Sequence, residues 1–437
     1  MDVEKLISDV KSSSVVPAKI TGADKVHEFT NMDLVMKLHY IKGLYFFSSD
    51  AVEDLNIYDF KKPMFHFLEL YYETSGRIRR SEDGGGRPFI KCNDGGVRII
   101  EAKSSKTIEE WLVMNDSSVN DQLVYDQVLG PELGFAPLVF IQFTWFKCGG
   151  MSIGLSWAHV LGDVFSASNF INIWAQIMAG QLPPQSLNNS RTNNKFINPL
   201  LSTVDKLPFS LKKVDPVGDH WRITNSCKMI SHSFHITEKE LNQHISKIFG
   251  PKQSAKVKPF DVISATMWKI LAKVRGESAE PGIVTIISKD NSCDREITQV
   301  SNNGQMISIV EANNVKVSEA NVLELAKLIA EKGVDETKVV EELMEKENGT
   351  LDFVVYGANL TFVNLEKANI YGFELRGKKP LFASYNISEV GEEGVVLVLA
   401  GPENLNGKEG GRIVNLVLPE DQIEGFKNEL REELGVF

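Results

Sequence analysis

A chain of 437 residues with 43% hydrophobic and 24% charged residues has the composition of a folded globular protein, and it is longer than one hydrophobic core normally organises, so two domains are expected. A formal net charge of -11 at pH 7 excludes nucleic acid as the principal partner, because phosphate recognition depends on clustered Lys and Arg. The four cysteines, Cys92, Cys148, Cys227 and Cys293, lie far apart with no Cys-x-x-Cys pair, which excludes a disulfide scaffold and a zinc knuckle and points to a reducing compartment.

Met1 to Lys5 shows neither the basic start nor the apolar stretch of a signal peptide. The run Leu138 to Phe146, rich in β-branched and aromatic residues, then Cys148-Gly149-Gly150 and a second strand-like run from Met151 to Trp157, predicts a hairpin that delivers the chain to His159. From Phe165 the period changes: Ala167, Phe170, Ile171, Trp174, Ile177 and Met178 recur at three and four residues, as on the buried face of a helix. His159 is thus expected at a strand-to-helix junction, a place that presents side chains to clefts.

After Gly180, Pro183-Pro184, Asn188-Asn189 and Pro199 mark about fifty residues with little periodicity, too long for an ordinary internal loop. The expected division is a first domain over 1–180, a crossover over 181–229 and a second domain over 230–437. Thr237 and Glu240 have capping-box spacing for a helix that Gly250-Pro251 ends. Further helices are predicted from about Phe260 to Arg275, from about Ser318 to Lys332, and after Pro419, with strands near 283–287, 353–363, 382–387, 395–400 and 412–418. The run Val395 to Ala400 is the longest strongly apolar one, far short of the roughly 20 residues that cross a bilayer. Any membrane association is therefore expected to be peripheral. The class is α+β, with helices packed on mixed or antiparallel sheets.

Chemistry concentrates in His159-Val160-Leu161-Gly162-Asp163. A neutral imidazole can remove a proton from a hydroxyl or amine as it attacks a thioester, and one well-placed histidine suffices. Spacing alone leaves His159 open between this role and a structural one, and leaves the part played by Asp163 open. No metal site is expected, since the two residues supply only two ligands and no other histidine forms a companion cluster. No Gly-x-Ser-x-Gly elbow supports a serine triad.

The chain resembles the plant BAHD acyltransferase family along nearly its whole length. The residues that carry the resemblance are Val15-Val16-Pro17-Ala18, Asn31-Met32-Asp33, Gly76-Arg77-Ile78-Arg79, Arg87 to Val97, Gln142-Phe143-Thr144, Cys148-Gly149-Gly150, His159 to Asp163, the Phe260 to Gly276 segment with Trp268, and Val417 to Asp421. The resemblance implies two similar-sized domains of mixed β-sheet flanked by helices, of the CoA-dependent acyltransferase type. It implies a long crossover loop between them and a channel at their junction, with the motif histidine at its centre. It also implies His159 as general base and Asp163 as a structural residue turned toward an arginine.

Departures narrow the resemblance. The family's second signature, Asp-Phe-Gly-Trp-Gly, is replaced by Ile370 to Lys378, where Leu375 and Arg376 are expected to resist the backbone conformations that glycine permits. Val164 stands where the family usually has glycine, Pro259 where it tends to offer a hydroxyl, and Gly282 to Gln305 lacks the usual arginine-bearing strand, so Asp163 is expected to have lost its partner. These departures resemble the eceriferum (Glossy-type) branch. That branch implies an accessory of the fatty-acid elongase at the cytosolic face of the endoplasmic reticulum, a monomer apart from its partner, a ketoacyl-CoA synthase, in very-long-chain fatty-acid elongation for cuticular wax. Two readings follow: an accessory that needs no acyl transfer of its own, and an active acyl-CoA-dependent O- or N-acyltransferase that uses His159. No permanently bound cofactor is expected, with acyl-CoA as substrate or ligand. Lys256, Lys258, Lys273 and Arg275 either hold coenzyme A phosphates or form a solvated helix face.

Overall fold

The computed structural model describes residues 6–80, 86–114, 117–125, 133–181, 207–250, 257–289, 302–313, 315–402 and 410–434. Two mixed sheets organise it. The first has six strands in the order Ile7–Val15, Val97–Ser104, Val139–Trp145, Met151–Ala158, Tyr40–Phe47 and Phe382–Ser388. The second has seven, in the order Met229–Ile236, Arg412–Pro419, Val395–Ala400, Leu360–Leu365, Ile283–Lys289, Gln305–Glu311 and Val334–Asp335. Most neighbours are antiparallel. The exceptions are Val97–Ser104 with Val139–Trp145, and Leu360–Leu365 with both Ile283–Lys289 and Val395–Ala400.

Helices Ile57–Leu70 and Val164–Met178 cover one face of the first sheet, joined by Phe67 against Phe170 at 4.7 Å and Phe60 against Trp174 at 6.2 Å between ring centres. Helix Pro259–Arg275 lies on the second sheet, buried along most of its length, with Glu238–Phe249, Val322–Glu331 and Glu420–Leu434 packed around it. The capping box at Thr237 and Glu240 forms in both directions. Asn321 caps the helix expected from Ser318, so it starts at Val322. The helices Ile57–Leu70, which carries Pro63 in its interior, and Thr337–Lys346 are not among those expected from periodicity.

Two features tie the halves together. Strand Phe382–Ser388, late in the chain, pairs antiparallel with Tyr40–Phe47 and completes the first sheet, so the core around it draws on residues from Val15 to Val417. Behind it, Lys37 Nζ meets Asp352 Oδ1 at 2.6 Å, with side chains 1% and 7% exposed. The ammonium also donates to the Leu351 carbonyl at 2.9 Å and lies over the Trp221 ring. Asp352 Oδ2 accepts the Val217 N–H at 2.8 Å, which fastens the described end of the crossover to the same point.

A pair of this kind contributes little when compared with apolar packing, yet stranding one partner is costly. Lys37→Met is expected to lower unfolding stability by about 3–5 kcal/mol. Lys37→Met/Asp352→Leu should recover part of the loss, the remainder reflecting the Val217 N–H left without its acceptor. Denaturant midpoints check this, and a single mutant as stable as the parent would contradict it.

Candidate functional site

His159 is placed by its strand. Met151–Ala158 is held between Val139–Trp145 and Tyr40–Phe47, and the chain leaves it through one tight turn, His159–Leu161. Gly162 follows at φ 147°, where a Cβ would lie 2.7 Å from that of Ser166 and 2.9 Å from the Asn302 nitrogen, so only glycine fits. The Trp157 indole donates to the Gly162 carbonyl at 2.9 Å, and the His159 N–H donates to the His39 carbonyl at 3.2 Å.

Asp163 caps helix Val164–Met178, its Oδ1 accepting the Ser166 N–H at 2.9 Å. Its own N–H donates to the Asn302 carbonyl at 3.2 Å, and the Ser166 hydroxyl donates to the same carbonyl at 3.0 Å. Asp163 is buried, does not hydrogen-bond His159, and makes no ion pair with the described residues. Val164 points into the core as the first residue of the helix.

The His159 imidazole is wholly buried. Its Nε2 shares a hydrogen bond of 2.9 Å with the Tyr356 hydroxyl, which in turn donates to Gln305 Oε1 at 3.1 Å. Nδ1 has no partner on any neighbouring described residue. Asn303 Nδ2 donates to both the His159 carbonyl and Asp33 Oδ1, each at 2.9 Å, and so joins the motif turn to the helix Asn31–Val35. His39 sits against the edge of the Tyr356 ring, its Nδ1 bonded to the Glu389 carbonyl at 2.8 Å and its Nε2 accepting the Val355 N–H at 3.1 Å. That acceptor role fixes His39 as the neutral Nδ1–H form.

Sequence reasoning did not find Tyr356, His39 or the role of Gln305. It predicts one strand over 353–363, whereas the structure has Phe353–Val354 and Leu360–Leu365 with a turn between. Gly357 makes the break: at φ 85° it packs on Gly391, where a Cβ would meet the Gly391 carbonyl oxygen at 2.3 Å. Tyr356-Gly357 within an otherwise strand-like run is the signal that marked it, since an isolated glycine there announces a close backbone approach.

The replaced signature is a two-residue hairpin. Leu375 and Lys378 exchange backbone hydrogen bonds of 3.0 and 2.9 Å, and Arg376 and Gly377 take φ 51° and 73°, the pattern of a type I′ turn. The expectation that Arg376 would resist such a conformation is corrected: it sits at an exposed tip, where one left-handed residue costs about 1–2 kcal/mol. Before the turn, buried Phe373 packs edge-on against Tyr45 at 5.1 Å and Phe47 at 5.2 Å.

The three described basic candidates are not one cluster. Lys256 lies outside the described residues. Lys258 is exposed at the start of helix Pro259–Arg275, and roughly 22 Å of helix separates it from Lys273. Lys273 pairs with Glu429 at 2.9 Å, and Arg275 with Glu393 at 2.9 Å and Gln422 at 3.1 Å. A cleft with about 530 Å³ of empty space, part of it open to solvent, lies between the halves and is lined by Lys42, Asp121, Ser233, Ser384, Asn386 and Asn415 among others. His159 is not on its wall. Among the described residues, no three His, Cys, Asp or Glu side chains are grouped as metal ligands, and no helix is long and apolar enough to cross a membrane.

Burial sets the electrostatics. It lowers His159 to about 4 and His39 to about 3, and it lowers His232 and His244 to about 4. It raises Asp163 to about 6, against the opposing pull of the Ser166 N–H and Lys289, and Asp261 also to about 6. A histidine depressed in the fold contributes stability above its unfolded value of about 6.5 and loses it as pH falls through the folded value. The two raised aspartates act in the opposite sense, gaining as pH falls below about 6. Four histidines outweigh two aspartates, so the melting temperature should fall between pH 6.5 and 4, each histidine contributing up to about 1.4 kcal/mol per pH unit. His159→Asn should flatten the fall by about one such increment. A parent profile that is level or rising over this interval would refute the assignment of neutral buried histidines.

A family model described as the Transferase family matches residues 6–433. Protein ECERIFERUM 2 of Arabidopsis thaliana is 40% identical, over 97% of this chain and 98% of that protein. Protein ECERIFERUM 26 of the same plant is 38% identical, over 98% and 96%. Among solved structures, vinorine synthase matches with a TM-score of 0.70 at 16% identity, covering 98% of both chains. TRI101 of F. graminearum, complexed with coenzyme A and deoxynivalenol, matches with a TM-score of 0.71 at 15% identity, covering 94% of this chain and 99% of that one. At such identities the structures show the fold alone: two mixed-sheet domains with flanking helices. With a family model and relatives at 40% and 38% identity matched along nearly its whole length, the chain belongs to the BAHD acyltransferase family, in its eceriferum branch.

Proposed function

We propose that this protein is a BAHD-like accessory of the fatty-acid elongase, one that promotes very-long-chain elongation for cuticular wax without acyl transfer of its own. The observation that carries the reading is the state of His159: an imidazole with no exposed surface, its Nε2 occupied by Tyr356 and its basicity lowered by burial. A general base must reach the proton it removes and must bind that proton near working pH. Neither condition is met in this arrangement. The eceriferum relatives support the connection to wax, and their alignment over nearly the full chain supports the same role in both. In this reading the partner is a ketoacyl-CoA synthase, the chain works at the cytosolic face of the endoplasmic reticulum, and Asp163 serves as scaffold for the motif turn.

A second reading, an active acyl-CoA-dependent O- or N-acyltransferase with His159 as base, draws support from the fold shared with a protein complexed with coenzyme A. In that reading acyl-CoA phosphates fall to Lys256, Lys258, Lys273 and Arg275. Lys273 and Arg275 would first have to leave their carboxylate partners, which counts against them.

Co-expression with a ketoacyl-CoA synthase in yeast separates the readings. The parent chain should lengthen the fatty-acid profile, and His159→Ala should lengthen it equally. A return to the profile of the synthase alone would sink the accessory reading. Purified protein incubated with long-chain acyl-CoA and a panel of alcohols and amines should release no free coenzyme A beyond that seen with His159→Ala.

A further inference from the structure

The Tyr356 oxygen lies 2.9 Å from His159 Nε2, inside the distance at which a general base takes a proton from its substrate. Any hydroxyl to be acylated with His159 as base, water included, would have to stand where this phenol stands. We infer that Tyr356 is an internal occupant of the acceptor position, that it silences His159 without replacing it, and that emptying the position turns the protein into an acyl-CoA hydrolase. The inference rests on the reading above, in which the natural chain performs no acyl transfer.

Tyr356 is built into this position and does not drift there. The Val355 N–H is held by His39 Nε2, the Gly391 N–H donates to the Tyr356 carbonyl at 2.9 Å, and the Gly357 N–H donates to the Thr361 hydroxyl at 3.2 Å. The backbone is therefore fixed on both sides of the side chain. The ring packs on two histidines, edge-on to His39 with centres 4.9 Å apart and tilted on His159 at 5.5 Å, and its hydroxyl is spent on Nε2 and Gln305. The phenol makes a poor acyl acceptor itself, since burial pushes its pKa well above the ordinary range and keeps it protonated.

The imidazole itself is retained. His159 Nδ1 makes no hydrogen bond to a neighbouring described residue and is free to take up the ring proton. Once Tyr356 is gone the imidazole can carry its proton on Nδ1 and turn a lone pair on Nε2 toward the vacated volume. The site also lies just beneath the surface: Asn302 and Gly304 are exposed on either side of buried Asn303, and Ala358 and Asn359 are half-exposed beyond Tyr356. In the released reaction Nε2 takes a proton from water while its oxygen bonds to the thioester carbonyl carbon. The carbon–sulfur bond then breaks, and the imidazolium returns the proton to the thiolate, giving a fatty acid and the free thiol of coenzyme A.

The test uses the full chain, palmitoyl-CoA and a thiol reagent. Parent protein, Tyr356→Ala, Tyr356→Val, and each variant combined with His159→Ala are compared, with circular dichroism and melting recorded for all. Tyr356→Ala or Tyr356→Val should release thiol at least 10-fold faster than its His159→Ala counterpart, while the parent stays at the level of buffer. If neither variant exceeds its counterpart, the inference is wrong, whether because His159 has no latent basicity or because the pocket collapses. Release by the parent that disappears with His159→Ala would instead overturn the accessory reading, a different outcome from silence in the variants.

Discussion

The halves of this molecule meet through charges that can no longer be solvated. Lys37 and Asp352 are sealed from water, and the free energy of removing both from solvent is recovered only while they face one another. That condition constrains everything near it. Lys37 lies two residues beyond the helix Asn31–Val35, whose Asp33 accepts from Asn303 and through it is joined to the His159 carbonyl; Asp352 leads within four residues to Tyr356. A change in the spacing of the halves would strand a buried ammonium and a buried carboxylate together, so the closed arrangement around His159 is strongly preferred.

The motif turn is fastened by contacts within the fold. Gly162, Asp163 and Trp157 shape the turn after the strand, and their hydrogen bonds run to the backbone. The same residues that would aim a catalytic imidazole also complete a helix cap and fasten the turn at Asn302. Their retention follows from folding as much as from chemistry. A sequence motif of this type therefore reports a backbone geometry first and an activity second.

The larger elements were legible because period and punctuation agreed. Trp157 to Met178, Thr237 to Gly250 and Phe260 to Gly276 each show a buried stripe with a cap or stop, and each folds as read. The site was legible only in part. His159 and Asp163 stand out by motif, but Tyr356 lies nearly two hundred positions away in a run that reads as continuous strand. The break depends on Gly357 meeting Gly391, a contact between residues whose proximity only the tertiary fold creates. Arg376 misleads for a similar reason: propensity speaks against a left-handed arginine, and an exposed two-residue hairpin tolerates one.

The strand Phe382–Ser388 has a further consequence for biosynthesis. Its partner edge, Tyr40–Phe47, emerges from the ribosome early, and at about 5–20 residues per second it must wait tens of seconds for its last neighbour. Throughout that interval the nascent first half presents a hydrophobic open edge of the sort that recruits other strands. The first five strands can pair with one another, but the sheet lacks its sixth until translation is almost finished. The first half released by a premature stop would therefore carry an unpaired strand edge, the feature through which sheets join other chains.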